Sequence, residues 1–252
     1  MQKTEPLEFA VITPTAKIVT GAHGWRAKCL QRLVRLDLPV PQTVALPAAT
    51  VRAIAAGNPV DVAAILSHFQ QNPLISVRPS PENPDWGGPG TVLNVGMNAA
   101  RHALLVERHG QAAADAIYLR FVQSYATHVA RLDPDMFDAA APSAEALRDA
   151  LRHYEREMDE PFPEDPARQL SEVLRSMARA WEGTSARLLR QAKGAPDEAA
   201  LGRLMERWEL PVKRLLARIV LNATDAEELA QETFVRVWQQ REKFRDGAAV
   251  RP

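Results

Sequence analysis

One segment limits this chain more than any other: between Arg78 and Thr91 the run PSPENPDWGGPG holds four prolines and three glycines. Proline fixes φ and lacks a backbone donor, so no regular helix or strand can pass through such a run. The chain must therefore be read as two differently patterned stretches joined by a loop. Before the loop, short β-like runs at Phe9–Ile12, Thr43–Leu46 and Leu74–Val77 sit among helical and proline-rich stretches, which predicts a small sheet. After it, apolar residues recur at three-and-four spacing. Ile117, Phe121 and Tyr125 form one series, Leu147, Leu151 and Tyr154 a second, and Leu170, Val173, Leu174, Met177 and Trp181 a third. PFPEDP at 161–166 separates the last two helices, and KGAPDE at 193–198 is a stop followed by a restart. The expected fold is α+β, a small mixed sheet with a predominantly helical remainder, followed by a C-terminal helical hairpin. The expected division is 1–194 and 195–252.

Length and charge narrow the function classes. With 252 residues, two modest domains can each bury a core. Lys plus Arg and Asp plus Glu are both 31, so no global basic excess announces nucleic acid and no acidic excess announces a solvating tail. Cys29 is the single cysteine, which excludes an internal disulfide framework and reads as a small core residue. Glu5 and Glu8 interrupt the N-terminus where a signal peptide needs an apolar run, and no stretch has membrane-spanning length. A cytoplasmic protein without a membrane partner is expected.

In the C-terminal part, Thr224 and Glu227 stand in the Thr-x-x-Glu arrangement in which a hydroxyl and a carboxylate satisfy free backbone donors at a helix start. Ala226, Leu229, Ala230, Thr233, Phe234, Val237 and Trp238 then recur with helical period and predict a core stripe. Glu228, Gln231, Glu232 and Val235 fall on another face, where one apolar group sits among hydrogen-bond acceptors. That surface suits a partner with basic side chains, although most charged faces are simply solvated. The preceding helix is expected to pack through Leu204, Met205, Trp208, Leu215, Leu216 and Ile219, with Trp208, Leu215, Phe234 and Trp238 buried.

Residues 204–245, LMERWELPVKRLLARIVLNATDAEELAQETFVRVWQQREKFR, resemble the first conserved region of sigma factors of the extracytoplasmic-function group. The resemblance implies docking of the second helix on the clamp helices of core RNA polymerase through Asp225, Glu228, Gln231, Glu232 and Val235. It places Arg241, Lys243 and Arg245 nearest promoter DNA, where cations meet phosphates. It ends at Pro252, short of the family's promoter-melting segments, leaving open a truncated sigma factor or a docking-only competitor for polymerase.

The first part carries a second resemblance. GWRAKCLQRLVRLDLPVP (24–41) aligns with the G-G-K-G-x-N-L…P pattern that opens pyruvate phosphate dikinase, and ISVRPSPENPDWGGPGTVLNVGMN (75–98) resembles that family's second loop. Arg78, Gly87, Thr91, Leu93, Asn94, Gly96 and Asn98 match. The resemblance runs over about residues 18–194 and implies a phosphate- or nucleotide-binding lobe using Arg26, Arg78 and Thr91, with ATP and Mg or a phosphorylated metabolite as ligand. Arg26 replaces the family's lysine by a planar fork. Glu82 stands where the family has its second arginine, which reverses the charge a polyphosphate would meet. The expected outcome is a degenerate lobe with weak or no ATP affinity that senses or scaffolds, not a catalyst. The alternative is an ATP-dependent phosphotransferase of the dikinase type, with no catalytic residue identified. The six histidines, at 23, 68, 102, 109, 128 and 153, lack metal-ligand spacing, and no metal site is expected. No oligomeric state follows from the sequence.

Overall fold

A computed structural model describes residues 8–69, 73–83, 86, 88–138, 141–183, 186–187, 190, 208–209, 211–216, 229–230, 232–234 and 236–237. By packing, the chain divides into two compact units, residues 1–182 and 183–252. The fold is α+β and mostly helical. The KGAPDE segment at 193–198 lies outside the described residues.

The first unit runs β1 (Ala10–Val11), α1 (Thr20–Arg35), β2 (Val44–Ala45), α2 (Ala48–Ala55), α3 (Val62–Leu66), β3 (Ile75–Val77), β4 (Val92–Val95), α4 (Ala99–His109), α5 (Gln111–His128), a 3-10 turn at Pro134–Phe137, α6 (Ala144–Met158) and α7 (Pro166–Glu182). β1 pairs antiparallel with β2, and β3 with β4, so the expected mixed sheet is instead two separate antiparallel pairs. The three strand segments expected from the sequence form; their fourth partner, β4, was not foreseen. Its register pairs Ile75 with Val95 but Val77 with Val92, so β4 has one residue more than β3 between these pairs. Asn94, with φ of 61°, absorbs it; asparagine tolerates the left-handed region that a bulge demands.

Helix ends follow local chemistry. Asn98, Ser143 and Asp61 each accept a hydrogen bond from the backbone N–H three residues on, starting α4, α6 and α3. Asp165 accepts from Ala167 and Arg168, and Pro166 opens α7 where a missing donor costs nothing. The proline-rich 161–166 segment thus separates α6 from α7.

The main core gathers on α5, which buries Ala114, Tyr118, Leu119, Phe121, Val122, Tyr125 and Ala126 and packs against α4, α6 and β4. α6 adds Leu147 and Tyr154, and α7 adds Leu170, Val173, Leu174 and Met177. Phe162, in the link between these helices, meets the rings of Tyr118, Phe121, Tyr125 and Tyr154 edge-on, with centroids 6.2, 5.5, 5.2 and 5.0 Å away. That edge-to-face geometry is the preferred one for aromatic quadrupoles. A smaller cluster of Ile12, Ile18, Ala27 and Ala45, flanked by Leu30 and Val34, seats α1 on the β1–β2 pair. Cys29 is half-buried, not the core residue expected, because α1 buries the side of Ala27 and Gln31.

Gln169 and Asp115 are buried and engaged, while Trp86 Nε1 and Arg101 Nε are buried without a hydrogen-bond partner. Gln169 accepts from Gly96 N–H at 2.8 Å and donates to the carbonyls of Met97 at 2.8 Å and Pro163 at 2.6 Å, tying α7 to the end of β4. Asp115 accepts from Gln111 Nε2 and meets His102 Nε2, both at 2.8 Å.

Among the described residues of the second unit, 208–209, 211–216, 229–230, 232–234 and 236–237 are helical and none is in a strand. Ala230 and Phe234 are buried, as expected. Trp208 and Leu215 are not: they remain 47% and 58% exposed. The half-buried positions on their helix are Glu209, Val212, Lys213 and Leu216, so the inward face is rotated by one position from the expected one. Leu229, Thr233 and Val237 are likewise exposed, because burial on that helix centres on 230 and 234. The expected stripe is therefore narrower than its sequence pattern.

Candidate functional site

Two sequence landmarks more than fifty residues apart are brought into contact. α1 breaks at Gly24, whose φ of 82° and ψ of 168° are not helical, and the chain restarts as a helix from Trp25. The loop leaving β3 presses into this break. A Cβ at Gly24 would lie 1.7 Å from the carbonyl oxygen of Ser80, so only glycine allows the approach. Trp25 N–H donates to Pro81 O at 2.7 Å, Ala27 N–H to Ser80 Oγ at 3.2 Å, and Ser80 Oγ donates to His23 O at 2.8 Å.

These contacts decide what the site can do. Free N–H groups at the start of a helix are the donors that hold a phosphate. Here those of Trp25 and Ala27 already serve Pro81 and Ser80. Arg26 is exposed, and its Nε donates to Pro79 O at 3.2 Å. Arg78 and Thr91 are exposed. The Val77–Val92 pair puts them at the same end of the β3–β4 pair, immediately beyond the register. The three expected phosphate ligands thus border one loop. Glu82 reaches the first turn of α1, with Oε1 3.6 Å from the Cβ that Gly21 would carry. A carboxylate there opposes a polyphosphate, as its sequence position implied.

Gly88 in the same loop serves packing. A Cβ at Gly88 would come within 2.8 Å of the Trp181 ring, so the chain passes too close to α7 for a side chain. Lys28 Nζ, on the inner side of α1, donates to Ile18 O at 2.8 Å and to Gln31 Oε1 at 3.1 Å, and Gln31 Nε2 donates to Thr13 O and Ala16 O at 3.1 and 2.5 Å. Neither Ser80 nor Gln31 was singled out as a structural anchor from the sequence. Only the unusual placement of a glutamine within a helical apolar pattern could have pointed to the second.

Aromatic hydroxyls elsewhere are held neutral. Burial, and then Glu164, which accepts from its hydroxyl at 3.3 Å, raise the pKa of Tyr118. Tyr125 is raised by burial and by its hydrogen bond to Glu172. Burial, followed by the charges of Glu160 and Glu172, pushes Tyr154 up to about 12. Arg168 bridges Glu172 at 2.9 Å and Glu160 at 2.5 Å, and these bonds hold it firmly protonated. The network braces α7 on the core.

Of the expected polymerase-docking residues, Asp225, Glu228, Gln231 and Val235 lie outside the described residues, as do Arg241, Lys243 and Arg245. Glu232 is described: it is half-buried, with Oε1 accepting from Arg236 at 2.6 Å one turn on. Thr233 Oγ1 donates to Leu229 O at 2.7 Å, which turns its hydroxyl back on its own helix.

Residues 204–252 match the family model of Sigma-70 region 2. No curated protein matches the chain. The match begins within four residues of Trp208 and takes in the described helical residues 208–209, 211–216, 229–230, 232–234 and 236–237, while residues before 204 have no counterpart in it. On its C-terminal side the chain is thus similar to Sigma-70 region 2 over residues 204–252.

Proposed function

We propose that residues 204–252 dock on the clamp helices of core RNA polymerase through Asp225, Glu228, Gln231 and Glu232 around Val235, with Arg241, Lys243 and Arg245 toward promoter DNA. The observation that carries this is the Sigma-70 region 2 match over the same residues. Carboxylates at i and i+4 project together and can accept several charge-assisted hydrogen bonds from arginine or lysine. Glu232 is held by Arg236 before docking, an exposed pair that contributes little and is readily exchanged for a partner's cation. The place of action is the cytoplasm, where polymerase works; among the described residues no helix is long and apolar enough to cross a membrane.

The first unit serves as sensor or scaffold. Its resemblance to the opening lobe of pyruvate phosphate dikinase supports a former phosphate site at Arg26, Arg78 and Thr91. The helix donors used by Ser80 and Pro81, and the charge of Glu82, argue against nucleotide binding and phosphoryl transfer. Any ligand there is a single phosphate group or a phosphorylated metabolite, not Mg-ATP. The docking reading is tested by size-exclusion chromatography of the full chain with purified core polymerase. Co-elution is expected; separate elution at micromolar concentrations would end it. Calorimetry with Mg-ATP should show no heat of binding.

A further inference from the structure

The outer face of α1 is an apolar stripe in a basic frame. Trp25, Leu33 and Leu36 are 41%, 38% and 70% exposed, and Cys29 is half-exposed between them. The four are spaced i, i+4, i+8 and i+11, so they line one side of the helix that follows the Gly24 break. The opposite side buries Ala27 and Gln31. Thr20–Arg35 contains Arg26, Lys28, Arg32 and Arg35 and no aspartate or glutamate. The Arg32 guanidinium sits over the Trp25 ring, 5.4 Å from its centroid. Arg26 and Arg35 spend their Nε on the carbonyls of Pro79 and Pro14, at 3.2 and 2.8 Å, and keep their terminal nitrogens for other contacts. Among the described residues none of the four cations has a carboxylate within ion-pair distance. Asp37 lies past the helix end, and Glu82 lies beside Gly21.

From this face we infer a docking site for an acidic amphipathic helix of a partner protein. The apolar stripe would cover the partner's leucine or valine row, and Arg26 and Arg32, on its two flanks, would meet carboxylates along the partner's edges. Anchoring by a tryptophan and arginines is the usual composition of a strong protein-binding centre. The platform is already rigid: the Gly24 clasp and the Lys28–Gln31 bonds fix α1, so binding costs no folding of this side. A second copy of the chain fits poorly, because antiparallel pairing of two such helices sets arginine against arginine. Single-stranded nucleic acid would use the cations and stack on Trp25, but leaves Leu33 and Leu36 without a role. The inference is independent of polymerase docking, which uses other residues.

The test uses the full chain and a fluorescein-labelled synthetic helix of leucine, alanine and glutamate, with leucine at three-and-four spacing. Fluorescence anisotropy should show saturable binding that weakens with added salt. Leu33→Ser combined with Leu36→Ser should weaken it by about tenfold or more. Arg32→Glu should weaken it comparably and flatten the salt dependence. Both variants change exposed positions; circular dichroism checks the fold, and co-elution with polymerase should be unchanged. Four outcomes would overturn the inference. These are no binding by the wild-type chain, equal binding of the same peptide with lysine for glutamate, and tighter binding of oligothymidylate or phosphatidylglycerol vesicles. The fourth is self-association of the chain that the leucine substitutions abolish.

Discussion

The first unit consumes its own chemistry, whereas the second leaves much of its chemistry facing outward. In the first, four aromatic rings close on Phe162, and Gln169 fills all its described bonds within the fold. Even the helix donors at Gly24 are capped by the neighbouring loop. In the second, Trp208 and Leu215 are exposed, and among the described residues only Ala230 and Phe234 are buried. A segment that turns large apolar groups outward gains stability from association more than from its own core. The first unit is therefore where substitution should damage folding, and the second where it should damage binding.

The largest effect is expected at Phe162. Phe162→Ala removes the ring shared by Tyr118, Phe121, Tyr125 and Tyr154 and should cost about 3–5 kcal/mol in urea unfolding. A loss below about 1 kcal/mol would show that the cluster can collapse around the gap and that the first unit is not the tightly built partner in the comparison. Gln169→Leu strands Gly96 N–H and the carbonyls of Met97 and Pro163, and should cost about 2–3 kcal/mol. Gly24→Ala must either leave the left-handed region or displace Ser80, at about 1–3 kcal/mol. Its unfolding midpoint should fall while Gly57→Ala, at a positive φ with open space around it, loses only the strain of that conformation.

Alkali offers a test without mutation. Tyr118, Tyr125 and Tyr154 are the three tyrosines of the chain, and all have raised pKa values in the folded state. A raised acid favours the folded state's neutral phenol; its stabilising effect is complete below the unfolded value, near about pH 10. It is lost as pH climbs toward the folded value of about 12 for Tyr154. Tyrosinate absorbance should thus appear together with loss of helical circular dichroism, within that window. Tyrosinate forming at about pH 10 with helicity intact would mean that the rings are open to water. At the small end, Glu232→Lys should change stability by no more than about 1 kcal/mol, since the Arg236 pair it breaks is exposed.

Sequence periodicity recovered much of this arrangement, and its failures have physical causes. Tyr125, Tyr154 and Val173 were placed on buried faces because α5, α6 and α7 each have one apolar side. β4 was missed because Val92–Val95 follows a proline–glycine run and is too short to show alternation beside its bulge at Asn94. Trp208 and Leu215 were expected inside because period alone does not say which of two partly apolar sides is covered; the half-buried series 209, 212, 213, 216 answers differently. On α1 the structure added a stripe that the sequence reading did not single out: Trp25, Leu33 and Leu36 have helical spacing and face outward, because packing reserves Ala27 and Gln31 for the interior. At the loop, the sequence marked both segments as landmarks, but not that Ser80 and Pro81 engage the helix donors beside Gly24.

Binding of core RNA polymerase by the acidic face proposed for residues 204–252 is tested by the affinity of the full chain carrying Glu228→Lys and Glu232→Lys. Reversal places like charges against the cations of a clamp helix while leaving folding nearly untouched. Titrated by anisotropy against purified core polymerase, the double variant should bind at least about a hundredfold more weakly than the wild type, with matching circular dichroism and unfolding midpoint. Equal affinity for both proteins, at unchanged stability, would contradict the account.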